Sequence, residues 1–289
     1  MIIVIPNKLS LFTIDKIVNS ILEKNGKPKD SLIDYNFAEL SFIDSTGVTV
    51  FSNLIEYLKM HKVQQKFTGI NLDSDAIKFL DDSEFFLRYL GKKLNPYSKP
   101  RETTIPLKLV KHQQSYVWIE NNCIDWLSTR LKISKKSLVE IKLCLQELFN
   151  NIKDHSGWDI GCIFVQHHPN INKIKISLSD FGVGIPSNVR KIDKSISDGD
   201  AIIRSMEEGF TTKTSQRNRG VGLHLLASTV IRNNGALSIR SNAGYVFCSQ
   251  AGIKNFSKEG QFYPGTVLEI ELNTLNFDST LADEEEFSW

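Results

Sequence analysis

Four cysteines in 289 residues, Cys123, Cys144, Cys162 and Cys248, are too few and too scattered to form a disulfide framework or a metal-binding repeat. They read as reduced packing residues, which suits the cytosol. Long apolar runs are also missing, so no segment is predicted to span a membrane. The start, Met1 to Pro6, is apolar but too short and uncharged for a secretion signal. Excess charge of either sign is absent: 35 Lys and Arg against 33 Asp and Glu leave a net +2. That balance gives no general pull toward nucleic acid or membrane. With 41% hydrophobic residues the chain can build two cores. The expectation is a cytoplasmic enzyme or switch.

The second half carries the chemistry. From Ser134 to His155, the residues Leu138, Ile141, Leu145, Leu148 and Ile152 recur at helical spacing and mark a buried stripe. Glu147 and Asn151, four apart, stack on an adjacent face, with Asp154 and His155 one turn on. A carboxylate and an amide there suit a magnesium-phosphate site: the amide offers an oxygen to a hard ion, and the carboxylate accepts a proton. Alone, such a pair reads as a solvated helix face.

Next comes a strand, Lys173 to Ser179, in which Ile174, Ile176 and Leu178 alternate with polar residues as in a half-buried strand. Asp180 continues the apolar parity, so its carboxylate needs a donor; an adenine amine would serve. Gly182 and Gly184 let the backbone approach a flat ring. Then Gly220 and Gly222 open an apolar run that stops at Asn233, Asn234 and Gly235. Glycines at a helix N-terminus favour phosphate. The polar stretch before them holds Lys213, Arg217 and Arg219, cations for terminal phosphates on a mobile flap. A last strand, Thr266 to Leu272, puts Thr266 on the face of Leu268, Ile270 and Leu272, beside Asp180.

These four ordered segments resemble the boxes of the GHKL ATPases, the family of gyrase, a group of heat-shock chaperones, histidine kinases and MutL. The resemblance implies a Bergerat α/β sandwich over residues 104–275, a mixed sheet with helices on one face, binding ATP and Mg2+. It gives Asn151 to magnesium and Asp180 to the adenine amine. Gly182 and Gly184 become the adenine turn, Gly220 and Gly222 the phosphate contacts, Glu147 the base and Thr266 the adenine-side hydroxyl.

Residues 1–97 form a separate α/β unit, followed by a polar linker at 98–103. The pattern predicts strands at Ile2–Ile5, Leu32–Phe42 and Lys66–Ile70, and helices at Ile14–Glu23, Thr46–Met60 and Ser74–Leu80. The stretch Asp44 to Gly47 at a strand-to-helix turn resembles the STAS domain of anti-sigma-factor antagonists. That resemblance makes Ser45 the phosphoacceptor candidate, although Asp, Ser and Thr are also the preferred N-caps. The chain departs from that family in running straight from Ile5 to a helix. A segment at Ser115–Leu131, with Trp118 and Trp126, is expected to be the first helix packed on the ATP domain. Residues 276–289 form an acidic tail.

Anti-sigma serine kinases are GHKL proteins that act on STAS domains, and this chain resembles both partners. The expected function is an ATP-binding regulatory protein, a serine-kinase-type switch acting on a STAS-like domain or partner. The alternatives are a non-catalytic ATP-gated module and an ATPase without phosphotransfer. The expected partners are another protein or a second copy of the chain in a homodimer, without nucleic acid or membrane. A histidine kinase is disfavoured because His61 and His112 precede Lys62 and Gln113, not an acidic residue. A clamp ATPase needs a transducer, and seventeen residues follow Leu272.

Overall fold

The computed structural model describes residues 1–155, 160–210, 222–258 and 260–277. In the N-terminal part the strands are β1 (Ile2–Val4), β2 (Lys8–Leu9), β3 (Leu32–Asn36), β4 (Phe42–Ile43) and β5 (Gln64–Thr68). The helices are α1 (Ile14–Ile21), α2 (Ser45–Met60), α3 (Asp75–Asp82) and α4 (Phe85–Leu90). Strands β1, β3 and β5 pair in parallel with β3 at the centre, as alternation with helices requires. The chain does not run straight from Ile5 to a helix: β2 intervenes and pairs with β4. The strand expected at Leu32–Phe42 is broken after Asn36, where the Asn36 side chain accepts from the Ala38 amide and turns the chain.

Asp44 caps α2 by accepting from the Gly47 amide at 2.8 Å. Gly47 is required by crowding, because a Cβ there would collide with the Leu9 carbonyl and lie 2.9 Å from Ile43. The N-terminus of α2 is therefore pressed onto β2 and β4.

The C-terminal part opens with β6 (Thr104–Lys111). A helical rod follows: α5 (His112–Trp118), a π turn at Ile119–Ile124 and α6 (Asp125–Leu131). The single helix expected from Ser115 to Leu131 thus contains an over-wide turn. Next come a 3-10 turn at Lys135–Leu138, α7 (Val139–His155), β7 (Ile160–His168) and β8 (Lys173–Asp180). After these lie α8 (Ile185–Val189), α9 (Asp198–Ser205), α10 (Gly222–Arg232), β9 (Ala236–Asn242), β10 (Gly244–Ser249), β11 (Gly252–Asn255) and β12 (Tyr263–Asn273). Seven antiparallel strands stand in the order β11-β10-β9-β12-β8-β7-β6.

The two faces of this sheet are covered differently. Ile174, Ile176 and Leu178 of β8 meet Leu138, Ile141, Leu145, Leu148 and Ile152 in one apolar cluster, so the helical stripe faces the sheet. The opposite face, with Cys162, Phe164, Tyr263 and Val267, joins the core of the N-terminal part. Strand β8 is consequently not half-buried, since Ser177 and Ser179 lie beneath α2.

Polar groups line that seam. Ser177 Oγ lies 2.9 Å from Thr46 Oγ1 and donates to Ser45 Oγ at 3.1 Å, and Thr46 donates to Glu269. Asn53 donates to Ser179 at 3.1 Å, and Asp15 of α1 pairs with Arg240 of β9 at 3.1 Å. Burial, with Glu269 nearby, pushes the Asp44 carboxyl up to about 6 against the backbone bond from Gly47. Among the described residues no helix is long and apolar enough to cross a membrane.

Candidate functional site

Helix α7 presents Glu147 and Asn151 one turn apart, both half-buried. The N-terminus of α10 comes down on them. A Cβ on Gly222 would lie 3.2 Å from Glu147 Cβ, 3.6 Å from Glu147 Oε2 and 3.6 Å from Asn151 Nδ2. Only a glycine lets the helix start this close without displacing α7. The first amides of α10 have no intrahelical acceptor, so they and the helix dipole favour an anion here. Leu226 and Val230 seat α10 in the helix-side core, while Glu140 holds it by accepting from Thr229 at 3.1 Å and Arg232 at 2.6 Å.

Strand β8 delivers Asp180 on the same sheet face as Ile176 and Leu178, paired across the ladder with Thr266. The carboxylate is buried and accepts from the Gly182 amide at 2.7 Å. Burial raises its pKa to about 7, although amides of Gly182 and Thr266 favour the anion. Among the described residues no cation pairs with it. A donor from a bound purine amine would complete its coordination.

The turn after Asp180 is built for close approach. Gly184 has φ +82°, and a Cβ there would lie 2.7 Å from Asn242 Oδ1 and 2.8 Å from Ser241 Oγ. Ser241 Oγ accepts from the Ile185 amide at 2.8 Å, donates to the Gly265 carbonyl at 2.7 Å and lies 3.1 Å from Thr266 Oγ1. Gly265, at φ +86° in a β-bulge, allows this arrangement, since a Cβ would overlap the Asp180 carbonyl. Phe181 turns to the other face and stacks on Tyr57 at 5.0 Å.

Residues 137–272 match the family model described as Histidine kinase-, DNA gyrase B-, and HSP90-like ATPase. That stretch is a domain of this ATPase family. The ATPase domain is an ATP-binding module with the expected α/β sandwich, but its sheet is antiparallel throughout and not mixed, because each of its strands pairs antiparallel with its neighbours. No curated protein matches the chain.

The ATPase domain brings Glu147, Asn151 and Gly222 together in one group and Asp180, Gly182, Gly184 and Thr266 in another. Lys213, Arg219 and Gly220 lie outside the described residues, as do most of the polar flap and residues 278–289 of the tail. Ser45, the first residue of α2, is fully buried against the opposite sheet face, where it accepts from Ser177. Among the described residues no group of three His, Cys, Asp or Glu could hold a metal. One amide beside one carboxylate fits an ion such as Mg2+ that keeps water and phosphate oxygens as its other ligands.

Several contributors escape sequence reasoning. Ser241 and Asn242 come from β9, far from the glycine turn in sequence. Asn150 donates to Glu147 Oε1 at 3.4 Å and is itself bonded to His112 and Tyr116 of α5. Asn150 follows the stripe's polar edge, but nothing local points to α5.

Proposed function

We propose that the chain is an ATP-dependent switch of the serine-kinase type, whose acceptor hydroxyl comes from a STAS-like partner or a second copy. The observation that carries this reading is the closeness of Gly222 to Glu147 and Asn151. The terminal phosphates would rest on the first amides of α10. Glu147 would take the proton of the attacking hydroxyl through its Oε2, the oxygen facing Gly222. Magnesium, held in part by Asn151, would supply charge neutralisation on the phosphates. Asp180, in its ionised form, would accept from the adenine amine, with Thr266 and Ser241 bracing the floor.

Ser45 is sealed behind the sheet from this chemistry, which supports an acceptor on another molecule. The N-terminal part would then act as a docked regulator resembling a STAS domain. Incubation with labelled ATP and magnesium, with and without an added STAS domain, tests the proposal. Label on the added domain or on a second copy is the expected result, and Ser45→Ala in the folded chain should leave its yield unchanged. Absence of any labelled protein removes the kinase reading and leaves ATP binding standing.

The burial of Ser45 equally favours a second reading, an ATP-gated module in which the nucleotide orders one partner surface without turnover. A thermal shift with ATP but no phosphate release would identify it.

A further inference from the structure

The carboxylate of Glu147 has two oxygens with different surroundings. Oε1 accepts from the Asn150 side-chain amide at 3.4 Å. Oε2 faces the start of α10, 3.6 Å from the position a Gly222 Cβ would take. Asn150 is in turn gripped from outside the matched ATPase stretch. Its Oδ1 lies 2.9 Å from His112 Nε2 and 3.2 Å from the Tyr116 hydroxyl, which is also 3.1 Å from its Nδ2. His112 and Tyr116 are one turn apart on α5, and their rings meet edge to face.

A side-chain amide can point either way, and the choice decides its effect on a neighbouring anion. With Oδ1 toward His112, Nδ2–H points at Glu147 and steadies the carboxylate. Reversed, the amide would set its oxygen against Oε1, and the two acceptors would repel. In the tautomer that carries its proton on Nε2, His112 donates to Oδ1 and permits only the first orientation.

We infer that Asn150 is a positioning residue for Glu147, held in place by Tyr116 and with its amide orientation set by His112 in its Nε2–H tautomer, so that Oε2 is the oxygen left free for a proton from the attacking group. This rests on Glu147 acting as base in the proposed function. The helix preceding the ATPase domain thereby contributes to turnover without touching nucleotide, and a displacement of α5 would slow the reaction while leaving ATP bound.

The test uses the full chain with Asn150→Ala, His112→Ala and His112→Gln, the last retaining an N–H donor. Turnover of ATP with magnesium should fall about ten- to a hundredfold in Asn150→Ala, the scale of a misplaced catalytic group. Calorimetric affinity for ATP should stay within about twofold, since binding contacts lie elsewhere. His112→Ala should lose part of the rate and His112→Gln regain it. In a Glu147→Gln background, Asn150→Ala should add no further loss. A rate unchanged in Asn150→Ala, affinity lost in step with rate, or no rescue by His112→Gln would overturn the inference.

Hydrogen exchange of the Asn150 side-chain amide, followed by NMR without nucleotide, reads the same relay independently of turnover. Slow exchange in wild type that becomes fast in His112→Ala supports it, and equal exchange in both overturns it. A wild type that binds ATP without turnover would instead sink the catalytic reading, and the exchange experiment would still decide the positioning.

Discussion

Gly222 stands over Glu147 so closely that a Cβ would come within 3.2 Å of the Glu147 Cβ. Two effects of Gly222→Ala oppose each other. Alanine favours a helix over glycine by about 1 kcal/mol in an interior and less at an end. The added methyl must push α10 off α7 by a few tenths of an ångström. Thermal stability should therefore change by less than about 1 kcal/mol, whereas phosphate release or transfer should fall at least about tenfold through misplacement of the helix start. Unfolding curves beside a phosphate assay check both outcomes.

In the proposed contact with the adenine amine, Asp180 would make nucleotide binding depend on pH. Its folded carboxyl is raised from 3.8 to about 7 by burial, so without ligand it is largely protonated below neutrality. An adenine amine needs the anion as acceptor, and binding below about pH 7 must expel a proton. Affinity for ATP should fall by up to about tenfold for each pH unit below that point. Calorimetry at pH 6 in two buffers of different ionisation enthalpy should show proton release for wild type. Asp180→Asn should bind weakly and release none from this position.

The same displacement affects stability with a definite sign. A carboxyl whose folded pKa is raised holds its proton more tightly folded than unfolded, so its contribution is full below 3.8 and is lost as pH rises to about 7 for Asp180. For Asp44 the loss is complete near 6. Relative to wild type, Asp180→Asn should gain stability as pH rises from 4 to 8, and urea unfolding at several pH values measures the difference.

The ion pair of Asp15 and Arg240 closes the seam with both side chains nearly out of solvent, at 12% and 6% exposure. Arg240 also lies over the Tyr245 ring at 4.9 Å and donates to Gln261 at 3.3 Å. Removing one partner leaves a buried charge, so Asp15→Ala should cost about 3–5 kcal/mol. Replacing both by apolar residues of similar size should restore much of that loss. A double-mutant cycle read by denaturant unfolding checks this, and equal losses in the single and double variants would refute it.

Much of the helix-side architecture was legible because α7 and β8 each place apolar residues at one clear period. Asp180 could be singled out as a polar residue on an apolar parity, and Thr266 fell opposite it because β12 keeps the same alternation. The rest depended on partners distant in sequence. Ser177 and Ser179 look solvent-facing in the pattern, yet they are buried because α2 covers them. Ser241 bonds to Ile185 across 56 residues, and no local spacing announces that bond. Asn150 reads as one more polar residue on a helix until α5 is folded against it. The break in the expected strand after Asn36 arises from one side-chain turn that periodicity does not encode.

A seven-stranded sheet greased on both sides has no wet surface to offer when separated from its neighbour. Phe164, Phe181, Tyr263 and Val267 share one apolar cluster with Phe37, Phe51 and Phe79 of the N-terminal part. Fragments cut at 98–103 would each bare a sticky flank and should precipitate when expressed singly. Produced together, they should reassociate into a soluble complex, detectable by co-elution on size exclusion. An isolated nucleotide module would thus be a poor reagent, and biochemistry on this protein calls for the uncut polypeptide.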